Sequence, residues 1–234
     1  MQSLEITGRM LDMVRAEAEK LFRDVGQAHG WDHVLRVEAM ALGFLDGKGD
    51  LPFASLVAML HDADDYKLFP AGESGGTPNA DRIMLLAGIP GGVQDMVRSE
   101  IGRFGYSKRL LGLAPETNEG RAVSDADMCD IMGATGILRQ AEYGFARNAP
   151  FFDPDDLPAE RITHEGYMST QSESACRHAF DKVLRLPGLM LTEKGRAEAA
   201  IRYKTSAMFL EALFRERGAD AWQGRLDRFL AGQG

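Results

Sequence analysis

Apolar residues recur every three or four positions along most of this 234-residue chain. This spacing is typical of amphipathic helices that bury one face. The first such stripe consists of Leu11, Val14, Ala18, Leu21, Phe22 and Val25. No run has the alternation of a half-buried strand, and no segment repeats. The sequence therefore predicts an all-α fold.

Capping residues predict where the helices of the N-terminal half begin. Asp32 stands at the N-cap of a helix that runs to about Leu45, and Asp50 opens the next helix together with Pro52. Residues 51–60 are apolar on nearly all sides, which predicts a central, buried helix. Three weaker signals follow: Asn79 as the cap of a short helix through Leu86, another short helix to about Arg103, and an irregular stretch over residues 104–119.

The C-terminal half is predicted to begin with one long helix over residues 119–146, followed by an irregular stretch over residues 147–169. Two further helices are predicted at about 171–186 and 193–217. Thr192 is the predicted N-cap of the second, and Gly218 lies just past its end. A last short helix surrounds Trp222, Leu226 and Phe229.

Composition and charge exclude several classes of protein. With 44% hydrophobic residues, the chain can bury one sizeable core, so we predict a single domain. A net charge of −8 and a pI near 5.2 argue against binding to duplex nucleic acid or to a membrane. Two cysteines outside a CxxC pair indicate a reducing compartment, and the sequence begins without a leader pattern. We therefore expect a cytoplasmic protein, and we leave open whether it forms a homo-oligomer.

Four side chains form a set of metal-ligating residue types: His33, the adjacent pair His61 and Asp62, and the distant Asp127. Two imidazoles and two carboxylates can bind one divalent ion. This mixture of nitrogen and oxygen donors fits Mn²⁺, Co²⁺, Ni²⁺ or Fe²⁺ better than an oxygen-only Ca²⁺ site or a cysteine-rich zinc site, with Mg²⁺ as an alternative. Four protein ligands on an octahedral ion would leave two positions for water and substrate.

Three sequence strings carry a resemblance to a known family: His29-Gly-Trp-Asp-His-Val-Leu-Arg-Val37, Leu60-His-Asp-Ala-Asp-Asp-Tyr-Lys67 and Val123-Ser-Asp-Ala-Asp-Met-Cys-Asp130. They resemble the HD-domain metal-dependent phosphohydrolases, and in particular a bacterial single-domain subgroup similar to nucleotide hydrolases. The likeness covers nearly all of the chain and is loosest at residues 104–118 and 147–170. It implies a single helical HD-domain bundle, with a metal-binding core at about 20–146 and a C-terminal helical extension at about 171–231 packed on it.

The resemblance also implies a ligand set and a substrate class. The family's ligands are a histidine, a His-Asp pair and the later member of an Asp-x-Asp pair, which favours Asp127 over Asp125. Binuclear relatives carry extra histidines between the pair and the last aspartate, and this chain has none between Asp62 and Asp127. One ion is therefore expected. The implied substrate is a nucleotide: either a triphosphate cut to monophosphate and pyrophosphate, or a 5′-monophosphate that is dephosphorylated.

Residues around the ligands are candidates for catalysis and substrate binding. Asp65 follows His61 by four positions, so on a continuing helix it would share a face with the ligands and could orient or deprotonate the attacking water. Lys67 could neutralise phosphate oxygens. Arg36 could do the same, or could form a salt bridge to a neighbouring helix. Further candidates for substrate contact are His29, Asp130 and Arg139, which could equally orient a ligand or carry surface or structural charge.

Two alternatives concern the loop and the activity. Residues 69–79 contain five glycines or prolines and are predicted to form either a lid over the substrate or a plain surface loop. The whole chain could instead be a nucleotide-binding or regulatory module with little or no catalysis. It could also be a helical protein that uses its metal only for stability, in which case the metal site would be closed and tetrahedral.

Overall fold

The computed structural model describes residues 5–26, 29–65, 68–69, 76–158, 165, 167 and 174–232. The regular structure of these residues is helical. No strand occurs in these ranges, which confirms the all-α prediction. Within the same ranges, no helix is both long and apolar enough to cross a membrane.

The chain divides into two compact units. The first contains Met1–Lys108 and Leu113–Asp127, and the second contains Arg109–Gly112 and Met128–Gly234. The division therefore falls inside one helix, directly after the predicted ligand Asp127. The single domain with a core at about 20–146 and an extension at about 171–231 stays a prediction.

A buried central helix organises the first unit. The helices up to the division are α1 (Gly8–Phe22), α2 (Trp31–Leu45), α3 (Leu51–Leu60), α4 (Pro78–Leu86), α5 (Gly91–Ile101), α6 (Tyr106–Leu110) and α7 (Asn118–Asp130). Helix α3 packs against α1, α2 and α5, and its residues from Phe53 to Leu60 are all buried. An apolar sequence on every side produces this position, because each face of α3 meets another part of the core.

Capping confirms some of the predicted helix starts and corrects others. Asp50 is the N-cap of α3, and its carboxylate accepts a hydrogen bond from the backbone N–H of Phe53 at 3.0 Å. The prediction for Asp32 was wrong, because Gly30 is the N-cap of α2 and Asp32 lies in the first turn of that helix. Asn79 is not a cap either, since Thr77 holds that position before α4. Helix α6 interrupts the stretch 104–119 that was expected to be irregular.

The predicted long helix over 119–146 is in fact two helices, α7 and α8 (Gly133–Ala146). Met132 is extended, with φ −106° and ψ 161°, and Gly133 has φ +72°. A positive φ is the conformation that glycine adopts without strain. A Cβ on Gly136 would lie 2.1 Å from the carbonyl carbon of Ile131, so glycine also permits the close approach after the turn.

The second unit is built around a long helix and an aromatic core. After α8 follow α9 (Ala175–Asp181), a 3₁₀ helix (Val183–Leu189), α10 (Glu193–Arg217) and α11 (Asp220–Leu230). Thr192 accepts a hydrogen bond from the N–H of Gly195 at 2.9 Å, and Gly218 has φ +61°. These observations confirm both predicted ends of α10. The predicted helix at 171–186 is replaced, in its described part, by α9 and the 3₁₀ helix. The core rings are Phe152, Phe180, Phe214, Trp222 and Phe229.

Candidate metal centre

Three segments of the first unit bring the predicted ligands together. His33 lies in the first turn of α2, and His61 and Asp62 follow directly after the end of α3. Asp127 lies near the C-terminal end of α7. Because α3 is buried from Phe53 to Leu60, the residues that follow it start from inside the core.

The donor atoms of these four residues lie close to one another. The two Nε2 atoms of His33 and His61 are 3.3 Å apart. Oδ2 of Asp62 lies 3.6 Å from Nε2 of His33 and 3.5 Å from Nε2 of His61. Oδ1 of Asp127 lies 3.5 Å and 3.9 Å from the same two nitrogens.

These separations match the spacing of ligands around one ion. Two donor atoms that each lie about 2.1 Å from a divalent ion are roughly 3.0 Å apart at a right angle and roughly 3.6 Å apart at 120°. The observed range of 3.3 to 3.9 Å agrees with this spacing to within a few tenths of an ångström. The residues present therefore fit a divalent ion. His33, His61 and Asp127 together form one group that could hold it.

The ring of His61 is already oriented for metal binding. Its Nδ1 lies 2.8 Å from the carbonyl oxygen of Ala58. A carbonyl only accepts hydrogen bonds, so Nδ1 carries the proton and donates it. In the neutral ring, Nε2 then presents its lone pair towards His33 and the two carboxylates. Metal-binding histidines are commonly held in this way by a backbone carbonyl.

Asp62 is held in its charged form by its surroundings. Burial raises the pKa of this carboxyl, but the positive charge that His61 carries when it is protonated and the contacts with His29 and His33 outweigh that effect. The pKa of Asp62 consequently lies well below its usual range. The group is therefore a carboxylate at neutral pH, the form in which aspartate binds metal ions.

Solvent reaches the centre from the carboxylate side. The side chains of His33 and His61 are 0% and 1% exposed, whereas those of Asp62 and Asp127 are 16% and 29% exposed. The two imidazoles thus form the floor of the site. A substrate would have to approach past the carboxylates.

His29 and Asp125 are the two residues whose roles the sequence left least defined. Nδ1 of His29 lies 3.4 Å from Oδ2 of Asp62, so the structure brings this histidine into the centre. Asp125 is completely buried on α7. Of the two groups of residues that could hold an ion, one contains Asp127 and neither contains Asp125, and the choice of Asp127 stays a prediction.

Asp64, which the sequence reasoning missed, fixes the turn that carries His61 and Asp62. Its two carboxylate oxygens accept hydrogen bonds from the backbone N–H groups of Asn79 at 2.8 Å and Ala80 at 3.0 Å. The amide of Asn79 donates in return to the carbonyl of Ala63 at 2.9 Å. Asp64 therefore caps the N-terminus of α4, although it lies more than ten positions before that helix in the sequence.

Two glutamates, also missed, fix the start of α7, the helix of Asp127. Buried Glu100 accepts hydrogen bonds from the N–H groups of Glu116 at 3.2 Å and Thr117 at 3.0 Å. Glu119 accepts one from the N–H of Asp50 at 2.7 Å, which joins the beginnings of α3 and α7. Sequence offers little signal for these contacts, since the partners lie 16 to 69 positions apart.

The proposed catalytic residues are only partly covered by the structure. Helix α3 ends at Leu60, and the chain continues in tight turns in which the N–H of Asp65 bonds to the carbonyl of Asp62 at 3.2 Å. The argument that Asp65 shares a helical face with the ligands was therefore wrong, while its catalytic role stays a prediction. Lys67 and residues 70–75 of the predicted loop lie outside the described residues. Arg36 is half-buried on α2, one turn after His33.

Asp130 and Arg139, both in the second unit, pair with each other. Nη1 of Arg139 donates to Oδ2 of Asp130 at 3.0 Å, and both side chains are buried. A buried ion pair satisfies the two charges within the protein, which supports the structural alternative for these residues. Their contact with substrate remains a prediction.

Comparison with known proteins identifies proteins that are similar along most of the chain. No protein-family model matches it. The uncharacterized protein YpgQ of Bacillus subtilis (strain 168) is 28% identical over 217 residues, which cover 91% of this chain and 97% of YpgQ. A crystal structure from Lactobacillus plantarum matches with a TM-score of 0.78 and 27% identity, and covers 92% of this chain and 100% of its own.

Two further structures that resemble this chain are an HD-superfamily hydrolase and a complex with ADP. An HD-superfamily hydrolase from Bacillus thuringiensis matches with a TM-score of 0.62 and 24% identity, over 89% of this chain and 97% of its own. The crystal structure of Bacillus subtilis YpgQ in complex with ADP matches with a TM-score of 0.65 and 22% identity, over 88% and 94% of the two chains.

Proposed function

This chain has the HD-domain fold, as its three sequence strings predict, and from this premise we propose that it is a metal-dependent phosphohydrolase. Its substrate would be a nucleotide or a similar small phosphate ester or anhydride. One divalent ion would be bound by His33, His61, Asp62 and Asp127.

One observation carries the proposal. Two imidazole nitrogens lie 3.3 Å apart at the end of a buried helix, and a carboxylate oxygen of Asp62 and one of Asp127 each lie 3.5 to 3.9 Å from both nitrogens. Bringing ionisable groups together in a core is costly unless they bind one another or a ligand. A divalent ion would compensate this cost, because it balances the two negative carboxylates and takes the lone pairs of the imidazoles.

The site suits hydrolysis because the ion, the two histidines and the carboxylates would each have a separate role. A divalent ion held there supplies Lewis-acid activation of a phosphate oxygen and of the attacking water. His33 and His61 hold the buried side of the site and exclude water from it. Asp62 and Asp127 face the open side, where the scissile phosphate would lie. Asp65 is the proposed acceptor of the proton that the water loses when its oxygen attacks phosphorus.

One finding supports a nucleotide as the substrate. YpgQ, which is similar over nearly the whole chain, has been crystallised with ADP. The chain carries a net charge of −8, so an anionic substrate needs the ion and a few local cations for its capture. Lys67 and Arg36 are the proposed cations.

A metal-reconstitution screen tests the proposal. Metal-free protein is reloaded singly with Mn²⁺, Co²⁺, Ni²⁺ or Mg²⁺ and incubated with nucleoside mono-, di- and triphosphates. Phosphate and pyrophosphate are measured separately, because they distinguish a 5′-nucleotidase from a pyrophosphohydrolase. We expect metal-dependent release of one of the two from a nucleotide.

Two outcomes would contradict the proposal. Tight nucleotide binding without release of either product, with every metal, would make the chain a nucleotide-binding or regulatory module. Metal binding without nucleotide binding or turnover would make the ion structural. His61→Ala serves as the control for a positive result, because any activity due to this site must disappear in that variant.

A further inference from the structure

The distance from His29 to Asp62 is similar to the distances from the two other histidines of the centre to Asp62. Its Nδ1 lies 3.4 Å from Oδ2 of Asp62. His33 and His61 lie 3.6 Å and 3.5 Å from that same oxygen. Three imidazole nitrogens therefore stand at nearly equal distances from one carboxylate oxygen.

A hydrogen bond explains the position of His29 less well than ligation does. N–H···O hydrogen bonds in proteins are commonly about 2.7 to 3.2 Å long. The 3.4 Å contact is longer than that, and it falls within the 3.3 to 3.9 Å range of the other ligand pairs. The ring of His29 also meets that of His33 edge-on at 5.8 Å, much as the ring of His61 does at 5.2 Å.

The possible ligands form two groups that share one histidine. One group that could hold an ion contains His29, His33 and Asp62, and the other contains His33, His61 and Asp127. They share His33, and Oδ2 of Asp62 also lies beside His61 in the second group. Since one imidazole nitrogen binds one ion, a shared His33 is better explained by one ion than by two.

We propose that His29 is a fifth protein ligand of the ion, so that three imidazoles and two carboxylates bind it. This inference rests on the proposed function, because it needs the ion that the function requires. His29 differs from the two buried histidines in being partly open to solvent, with 28% of its side chain exposed.

A fifth protein ligand lowers the number of coordination positions on the ion that are open to water or substrate. A six-coordinate ion with four protein ligands keeps two exchangeable positions, and with five it keeps one. Water and a phosphate oxygen could then not both bind the ion while His29 stays on it. The third imidazole also shifts the preference away from Mg²⁺, which favours oxygen ligands, towards Co²⁺ and Ni²⁺.

Proton NMR of the Co²⁺-loaded protein counts the histidine ligands directly. Each imidazole bound to Co²⁺ and protonated on its other nitrogen gives one exchangeable, strongly shifted N–H signal. We expect three such signals in the wild type and two in His29→Ala. His178→Ala, which removes a histidine from α9 in the second unit, is the matched control and should keep all three.

Water relaxation of the Mn²⁺-loaded protein gives an independent count. Loss of His29 should raise the number of exchangeable waters on the ion from one to two and should weaken Mn²⁺ binding by about 10- to 100-fold. His29→Gln should behave like His29→Ala in the water count, since an amide is a poor ligand for this ion. Circular dichroism of each variant establishes that it is folded.

The outcomes separate the inference from the proposed function. Two shifted signals in the wild type, unchanged in His29→Ala, would overturn the fifth ligand while the metal centre stands. The same result combined with weaker Mn²⁺ binding would make His29 a positioning residue that acts on Asp62. Absence of any Co²⁺ binding by the wild type would overturn the proposed function itself.

Discussion

At the scale of single residues, the proposed metal centre requires that Asp127, and not Asp125, is the ligand from α7. Asp127 is partly exposed and lies 3.5 Å from Nε2 of His33, whereas Asp125 is fully buried. Asp127→Asn should therefore weaken Mn²⁺ binding by on the order of 100-fold or more, because it removes a charged ligand. Asp125→Asn is the matched variant and should bind Mn²⁺ like the wild type. Isothermal titration would measure both, and the reverse order would transfer the ligand role to Asp125.

Asp65 provides a test of chemistry apart from metal binding. If its carboxylate takes the proton of the attacking water, Asp65→Asn should lower kcat by a factor on the order of 10² to 10⁴. The variant should still bind its ion, because Asp65 is not one of the proposed ligands. Steady-state kinetics and metal analysis of the same preparation measure both properties. Full turnover in Asp65→Asn would mean that hydrolysis needs no side-chain base at this position.

Cys176 should be inert in the folded protein. Burial raises the pKa of its thiol to about 12, although the charge of Arg217 lowers it in part. At pH 8 such a thiol is ionised to roughly one part in ten thousand, and only the thiolate is the reactive form. Iodoacetamide should therefore leave Cys176 unlabelled in native protein and label it in urea, as peptide mass spectrometry would show. Rapid labelling of the native protein at pH 8 would contradict this burial.

At the scale of secondary structure, the turn between α7 and α8 depends on a glycine. A Cβ on Gly136 would lie 2.1 Å from backbone atoms of Ile131, which cannot move aside as a flexible side chain would. Gly136→Ala should lower the free energy of unfolding by about 1 to 3 kcal/mol, the usual cost of overpacking. Gly188→Ala is the matched control, because its Cβ would meet nothing within 4 Å. Equal urea midpoints for the two variants would refute the argument.

The same turn shows where sequence stops predicting structure. Asp50 and Thr192 were predictable caps because a cap is a local signal, read within three residues of the helix start. The break at Met132 and Gly133 was missed because apolar spacing continues across it, and because one glycine inside a helical pattern is an ambiguous signal. Asp64 and Glu100 were missed because their hydrogen-bond partners are set by tertiary packing.

The proposed metal centre could be predicted in more detail than the contacts of the proposed substrate. His33, His61, Asp62 and Asp127 were predicted because chemistry restricts which residue types bind an ion, and the family resemblance favoured Asp127 over Asp125. The structure brings these four residues together, and their role as ligands stays a prediction. Asp65 was placed on a helix face by extending α3 beyond its true end at Leu60. Substrate contacts have no such restricted pattern, since any arginine or lysine can bind phosphate.

At the scale of the whole molecule, the first unit contains the complete proposed ligand set. His29, His33, His61, Asp62 and Asp127 all belong to it, and the chain passes to the second unit directly after Asp127. The first unit thus has all the donors that the proposal needs. The sequence has no histidine between Asp62 and Asp127 that could bind a second ion, so metal analysis should give about one tightly bound ion per chain.

Anomalous diffraction from crystals grown with Mn²⁺ would locate the proposed ion. We expect one strong anomalous peak per chain, about 2.0 to 2.4 Å from Nε2 of His33, Nε2 of His61 and a carboxylate oxygen of both Asp62 and Asp127. A peak bound through Asp125, a pair of peaks sharing these side chains, or no peak among them at saturating Mn²⁺ would contradict this expectation.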